Sequence, residues 1–248
     1  MVSVQNTKKF FYSSYILKHN QSNFLLKPPY KIFLLSESAL TVSFGQTIDE
    51  HLNEYLVQLG KEMERKPFIG LQEVVVTYAS LTVYYDAFSI HENTESSPSE
   101  FVKLYAEDLI ERFDLNPQLE STKNITEIPV IYDGEDFAYV CSKTGLTKTK
   151  LIELHTAPLY RVYMMGFLPG FAYLGGMDKR LTIPRRDSPR LKVPTGSVGI
   201  AGEQTGVYPV ESPGGWQLIG RTEMPLFTPD KESITLLKQG DYVRFAAI

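Results

Sequence analysis

The sequence predicts an α+β protein in two parts, a mixed α/β first half and a mostly β second half built as a closed barrel or a sandwich. Three observations carry this expectation. Fourteen of the seventeen glycines follow Asp133, a composition shift that marks a change of architecture. Before it, strand-type and helix-type runs follow in the order ββαββα, which suits a small sheet with helices on one face. After it, short apolar runs alternate with turns bearing Gly or Pro, which suits a closed or sandwiched sheet.

Residues 1–29 read as an extension ending at Pro28-Pro29. Lys31–Ser36 and Ala39–Phe44 are short strand-type runs, and Gly45 interrupts them. Thr47 offers a helix N-cap with Glu50 three residues on, a capping box. Ile48, Leu52, Tyr55, Leu56 and Leu59 then recur at helical spacing as far as Arg65, and Pro67 and Gly70 stop the helix. Val74–Tyr78 and Leu81–Tyr85 are β-branched and aromatic, hence strands. The polar stretch 91–99 reads as a loop, and a helix covers Glu100–Phe113.

A strand at Ile128–Tyr132 opens the second half. Two short helices follow, Glu135–Lys143 and Lys148–Thr156, the second capped by Thr147. The remaining strands are Tyr160–Met165, Gly199–Ala201, Gly206–Pro209, Gln217–Thr222 and Tyr242–Ala246, with turns at Pro194–Gly196 and Pro213–Gly215. Domains are expected at 30–120 and 121–248.

Composition excludes several functions. A net charge of −4 argues against nucleic acid as a partner, even though the helix pair before Thr156 superficially looks like a helix-turn-helix. The single cysteine, Cys141, rules out an intrachain disulfide and fits a cytoplasmic protein. No signal peptide is apparent, and no window approaches ~18 consecutive apolar residues, so no membrane partner is expected. There is no P-loop, dinucleotide fingerprint or G-x-S-x-G elbow. The four histidines are scattered, so no metal site is expected.

The segment 155–222 concentrates glycine, proline and aromatics, a composition suited to shaped loops. Lys179, Arg180, Arg185, Arg186, Arg190 and Lys192 place six cations in fourteen residues, suited either to anion binding or to a solvated loop. Arg185 and Arg190, each beside a proline, are the stronger anion-binding or catalytic candidates. Gly196 and Ser197 form either an anion nest or a tight turn. Gln204, Thr205 and Tyr208 either orient an amide or cap turns. Ser212, Gly214, Gly215 and Trp216 form a pocket wall or barrel core. Phe167, Pro169, Phe171 and Tyr173 form a pocket lip or pack over the barrel end, and Tyr163 on the preceding strand is grouped with them. His155 is a general acid/base or a helix-end partner. Arg161 and Arg221 are ion-pair residues or substrate clamps. Cys141 reads as a buried structural thiol.

The runs LHTAPLYRVYMMGFLPGFAYLGGMD, PRRDSPRLKVPTGSVGIAGEQTGVYPVESPGGWQLIGRT and LLKQGDYVRF resemble the KipI/allophanate-hydrolase-subunit-1 family. Weaker similarity begins near Tyr30. The resemblance implies a ferredoxin-like α/β domain followed by a cyclophilin-like β-barrel. It also implies action within a heteromeric complex. One branch is the B-type component of an ATP-dependent 5-oxoprolinase, working with a carboxyltransferase-like C-type component and an A-type component. Its ATP, with Mg2+, would be held by or shared with the partner. A second branch inhibits a sensor histidine kinase, and a third is half of a carboxyltransferase-like unit in urea or allophanate metabolism. For the oxoprolinase branch, loops 166–176, 185–205 and 208–222 would form this chain's share of the site.

Overall fold

A computed structural model describes residues 28–114 and 124–248. All but the last two residues of the expected extension lie outside the described residues, as does the junction near 120.

The first half contains β1 (Lys31–Ser36), β2 (Ala39–Ser43), α1 (Glu50–Arg65), β3 (Leu71–Val76), β4 (Ser80–Tyr85), α2 (Ala87–Asn93) and α3 (Pro98–Arg112). The strands form one antiparallel sheet in the order β1-β2-β4-β3. Alternation sends Leu40 and Val42 of β2, and Leu81, Val83 and Tyr85 of β4, into the core. There they share one cluster with Leu52, Tyr55, Leu56, Leu59 and Met63 of α1 and with Val102, Ala106 and Ile110 of α3. Two local expectations are corrected. The cap of α1 is Asp49, whose Oδ1 accepts the Leu52 N–H at 2.8 Å, and Thr47 lies outside the helix. The stretch 91–99 is not all loop. Asp86 caps α2, Ile90 anchors it in the core, and the helix runs on to Asn93.

The second half contains β5 (Ile125–Val130), α4 (Phe137–Thr144), α5 (Lys148–Thr156), β6 (Tyr160–Met165) and β7 (Ala172–Gly175). A 3-10 turn at Lys179–Leu181 precedes β8 (Arg190–Val193), β9 (Ser197–Ala201), β10 (Gln204–Val207), β11 (Ser212–Gly214), β12 (Gln217–Arg221) and β13 (Tyr242–Ala247). Seven strands form one sheet in the order β12-β9-β10-β7-β6-β13-β5. Its two edges meet just beyond β5, where Ile131 and Arg221 exchange backbone hydrogen bonds of 2.9 Å in both directions. The sheet is thus a nearly closed barrel, filled by side chains such as Ile128, Val162, Leu174, Val198, Ile200 and Val243. The close approach requires bare backbone at Gly220, where a Cβ would sit 2.6 Å from the Ile131 carbonyl oxygen. Strands β8 and β11 pair as a separate ribbon over Phe171, Tyr208, Trp216 and Leu218.

Buried polar contacts fasten the halves together. Arg161 on β6, 4% exposed, reaches across to α1. Its Nη2 lies 2.6 Å from Glu54 Oε2, its Nε donates to Asn53 Oδ1 at 3.2 Å, and its Nη1 donates to the Tyr242 hydroxyl at 3.0 Å. Tyr242 in turn donates to Glu50 Oε1 at 2.7 Å. Asn53 donates to the carbonyls of Thr77 and Tyr163, and Gln239 donates to those of Val76 and Tyr163. Arg161 is therefore an ion-pair residue joining the two halves, and Tyr163 is buried at the same seam. Among the described residues, no helix is long and apolar enough to cross a membrane.

Candidate functional site

The aromatic residues singled out in the sequence converge. Phe171 packs edge-on against Tyr173, Tyr208 and Trp216, with ring centroids 4.9, 5.4 and 5.4 Å away. Tyr173 and Trp216 are 5.8 Å apart. Phe167 extends the cluster, 5.6 Å from Phe171, although its own ring is largely exposed and its backbone is left-handed at φ 68°. Tyr208 fits because Gly214 has no side chain, since a Cβ there would collide with the Tyr208 hydroxyl oxygen. The cluster forms an aromatic floor outside the barrel core.

One contributor was not expected from the sequence. Tyr78, in the turn between β3 and β4, leans across from the first half, 6.3 Å from Tyr173 and 6.1 Å from Tyr163. Gln204 Nε2 donates to the Tyr78 hydroxyl oxygen. Burial pushes the Tyr78 phenol up to about 12, against the opposing pull of Gln204 and of the Arg185 charge. Its sequence context, VVVTYAS, reads as the tail of a strand and carries no signal of a site.

The cation run separates into distinct roles. Asp136, 5% exposed, is a hub. Its Oδ1 accepts from Arg190 Nη2 at 2.7 Å and from Arg186 Nη1 at 3.0 Å, and its Oδ2 accepts the Leu218 N–H at 2.7 Å. Arg190 also donates to Glu135 and to the Trp216 carbonyl. Arg190 therefore holds the 186–190 strap against β12, with its guanidinium engaged by Asp136, Glu135 and the Trp216 carbonyl. Arg180 pairs with Asp178 and Lys192 with Glu211. Arg185 is exposed and has no ion-pair partner among the described residues. The strap around it is pinned on both sides, by the Arg186 N–H to the Gly215 carbonyl (2.8 Å) and by Gln217 Nε2 to the Pro184 carbonyl (3.1 Å). The Arg185 charge is felt at the hydroxyls of Tyr78, Tyr173 and Tyr208. Two buried polar atoms nearby, Ser212 Oγ and Gln217 Oε1, have no hydrogen-bond partner among the described residues.

Other candidates resolve into structure. The Gly196 N–H bonds to the Tyr208 carbonyl at 2.7 Å and the Ser197 N–H to the Pro194 carbonyl at 3.2 Å, so this segment is a tight turn and not an anion nest. Thr205 is buried and donates to the Gly199 carbonyl at 3.0 Å. Its oxygen is thus left to accept from His155 Nε2 at 2.9 Å, while Tyr132 donates to His155 Nδ1 at 2.7 Å. His155 is fully buried, and desolvation pulls its pKa down to about 3. A neutral imidazole bonded at both nitrogens inside the core is no general acid/base, which corrects that reading. Arg221 pairs with Asp133 at the barrel closure. Pro169 and Phe167 border a separate open cleft of about 580 Å³, together with Lys238 and Gln239.

Known proteins share this architecture. The model of the carboxyltransferase domain, subdomains C and D, matches residues 30–237. A protein of Bacillus subtilis, named as the B-type component of 5-oxoprolinase, is 43% identical over 225 residues, 88% of this chain and 93% of that protein. One of the same name from Escherichia coli O157:H7 is 48% identical over 145 residues, 56% of this chain and 66% of that protein. The crystal structure of TTHA0988 superposes with a TM-score of 0.72 at 35% identity, over 88% of this chain but only 40% of that longer one.

Proposed function

The chain belongs to the carboxyltransferase-domain family of subdomains C and D, and from that premise we propose that it serves as the B-type component of an ATP-dependent 5-oxoprolinase. In this reading it works with C-type and A-type components in the cytoplasm to open 5-oxo-L-proline to L-glutamate. The observation that carries the reading is the near full-length similarity to relatives bearing that name. The arrangement of Arg185, Tyr78, Tyr173 and Gln204 over an aromatic floor supports it, because these groups suit a small polar ring.

A five-membered lactam is a stable amide, and ATP supplies the activation by phosphorylating its carbonyl oxygen. The residues of this chain bind and orient the ring. Tyr173, the partly exposed ring backed by the buried Phe171 and Trp216, packs against its methylenes, and the donors above fix its polar edge. With no phosphate loop in the sequence, ATP and Mg2+ are assigned mainly to a partner protein of the complex.

The test is reconstitution. The A-type and C-type components are mixed with this chain, glutamate and ADP are followed from 5-oxoproline and ATP, and each protein is omitted in turn. Glutamate formation is expected to collapse when this chain is left out. A folded, assembled complex without turnover overturns the reading.

A further inference from the structure

Resting on that reading, we propose that Tyr78, Tyr173 and Arg185 form a donor-only subsite for the substrate carboxylate, with Tyr78 supplied by the first half across the seam. The argument starts from hydrogen-bond direction. Gln204 donates to the Tyr78 oxygen, so the Tyr78 O–H proton is left for another acceptor, and none exists among the described residues. The Tyr173 hydroxyl likewise has no partner among the described residues, and its ring rests on Phe171 and Trp216. Arg185 completes the set. Arg180, Arg186, Arg190 and Lys192 of the cation run are paired with Asp178, Asp136, Glu135 and Glu211, whereas Arg185, like the exposed Lys179, has no ion-pair partner among the described residues, and of the two only Arg185 lies on the strap pinned beside Trp216.

The local field agrees with an anionic ligand. Apart from the neighbouring phenol of Tyr173, the charged side chains bearing on these hydroxyls are Arg185, at Tyr78, Tyr173 and Tyr208, and Arg190, at Tyr208. A site offering several O–H and N–H donors, with no carboxylate bearing on them, suits a planar acceptor-only group, and Arg matches a carboxylate in shape. Tyr78 stays protonated throughout the physiological range, so it acts as a donor and not as a second charge. The subsite is complete only while the contacts of Arg161, Asn53 and Gln239 keep the turn bearing Tyr78 against β10.

Two measurements test this. In the reconstituted complex, Arg185→Gln is expected to raise KM for 5-oxoproline about tenfold or more, and Tyr78→Phe by about threefold to tenfold, with kcat changed less. Lys179→Gln, an exposed cation of the same run, serves as a control expected to leave both constants alone. Melting temperatures confirm that the variants fold. In the isolated full-length chain, Trp216 is the only tryptophan and touches Tyr173, so its fluorescence reports on the subsite directly. 5-Oxoproline is expected to change this signal, and 2-pyrrolidinone, the same ring without the carboxylate, is not. Arg185→Gln is expected to abolish the response. Active complexes whose KM is indifferent to both substitutions overturn the subsite but leave the function standing. Equal responses to pyrrolidinone, or a stronger response to inorganic phosphate, overturn the carboxylate assignment. If the complex shows no turnover at all, a carboxylate-dependent, Arg185-dependent signal still upholds the subsite, and its absence overturns it.

Discussion

His155 shows how one residue couples pH to stability. Its neutral ring is a required part of the barrel core, stacked on Phe245 at 4.6 Å and bonded at both nitrogens. Its folded-state pKa, near 3, lies below the ordinary histidine value of 6.5. The unfolded chain therefore binds this proton first as pH falls. The stabilisation is fully present above pH ~6.5 and is lost progressively as pH drops toward the folded value, with a slope of at most about 1.4 kcal/mol per pH unit. Urea unfolding between pH 7.5 and 4.5 should show stability declining on the acid side. His155→Gln should be less stable at neutral pH but flatter in this range. An equally steep profile in the variant would show that other groups carry the acid sensitivity.

At the scale of elements, much of the fold is legible in the sequence, and the misses have physical causes. Glycines crowd the chain after Asp133 because the barrel's turns and closure require bare backbone, although the barrel sheet itself begins earlier, at β5. Strands β7, β8 and β11, four, four and three residues long, are not marked beforehand because so few residues scarcely show a period of two, and the equally short β10 is anticipated only two residues late, at Gly206–Pro209. Thr47 and Asp49 are both sound N-caps. The choice between them accompanies a long-range contact, since Tyr242 takes the Glu50 carboxylate that a capping box at Thr47 would need. In the site, the cation run and the aromatics stand out in sequence, but their pairing does not. Only the fold brings Asp136 against Arg186 and Arg190 and leaves Arg185 uncommitted. Tyr78 is hidden because its role depends on how two halves meet. The barrel closure makes its own prediction. Gly220→Ala places a methyl group against the backbone of Ile131, which cannot yield as a side-chain tip can. A loss of about 1–3 kcal/mol is expected, with faster amide exchange at Ile131 and Arg221. Unchanged exchange at both amides would contradict the claim that this bridge closes the barrel.

At the scale of the whole molecule, the buried seam ties the two halves into one unit. Arg161 is nearly buried, and all three of its donor nitrogens are engaged by groups outside its own strand. Removing it leaves Asn53 Oδ1 and the partly exposed Glu54 carboxylate without their cation, a change on the order of 3 kcal/mol for a buried pair. Arg161→Met is therefore expected to lower the melting temperature by several degrees, and Arg161→Lys should recover only part, because one ammonium cannot reach Asn53, Glu54 and Tyr242 in the same fork. The seam also bears on binding. The turn holding Tyr78 is fixed by Asn53 at the Thr77 carbonyl and by Gln239 at the Val76 carbonyl, so loosening Arg161 should loosen Tyr78 as well. In Arg161→Met the Trp216 response to 5-oxoproline should weaken at temperatures where the chain is still folded. A variant that melts earlier but binds as tightly as the parent would show that the seam holds the halves together without shaping the site.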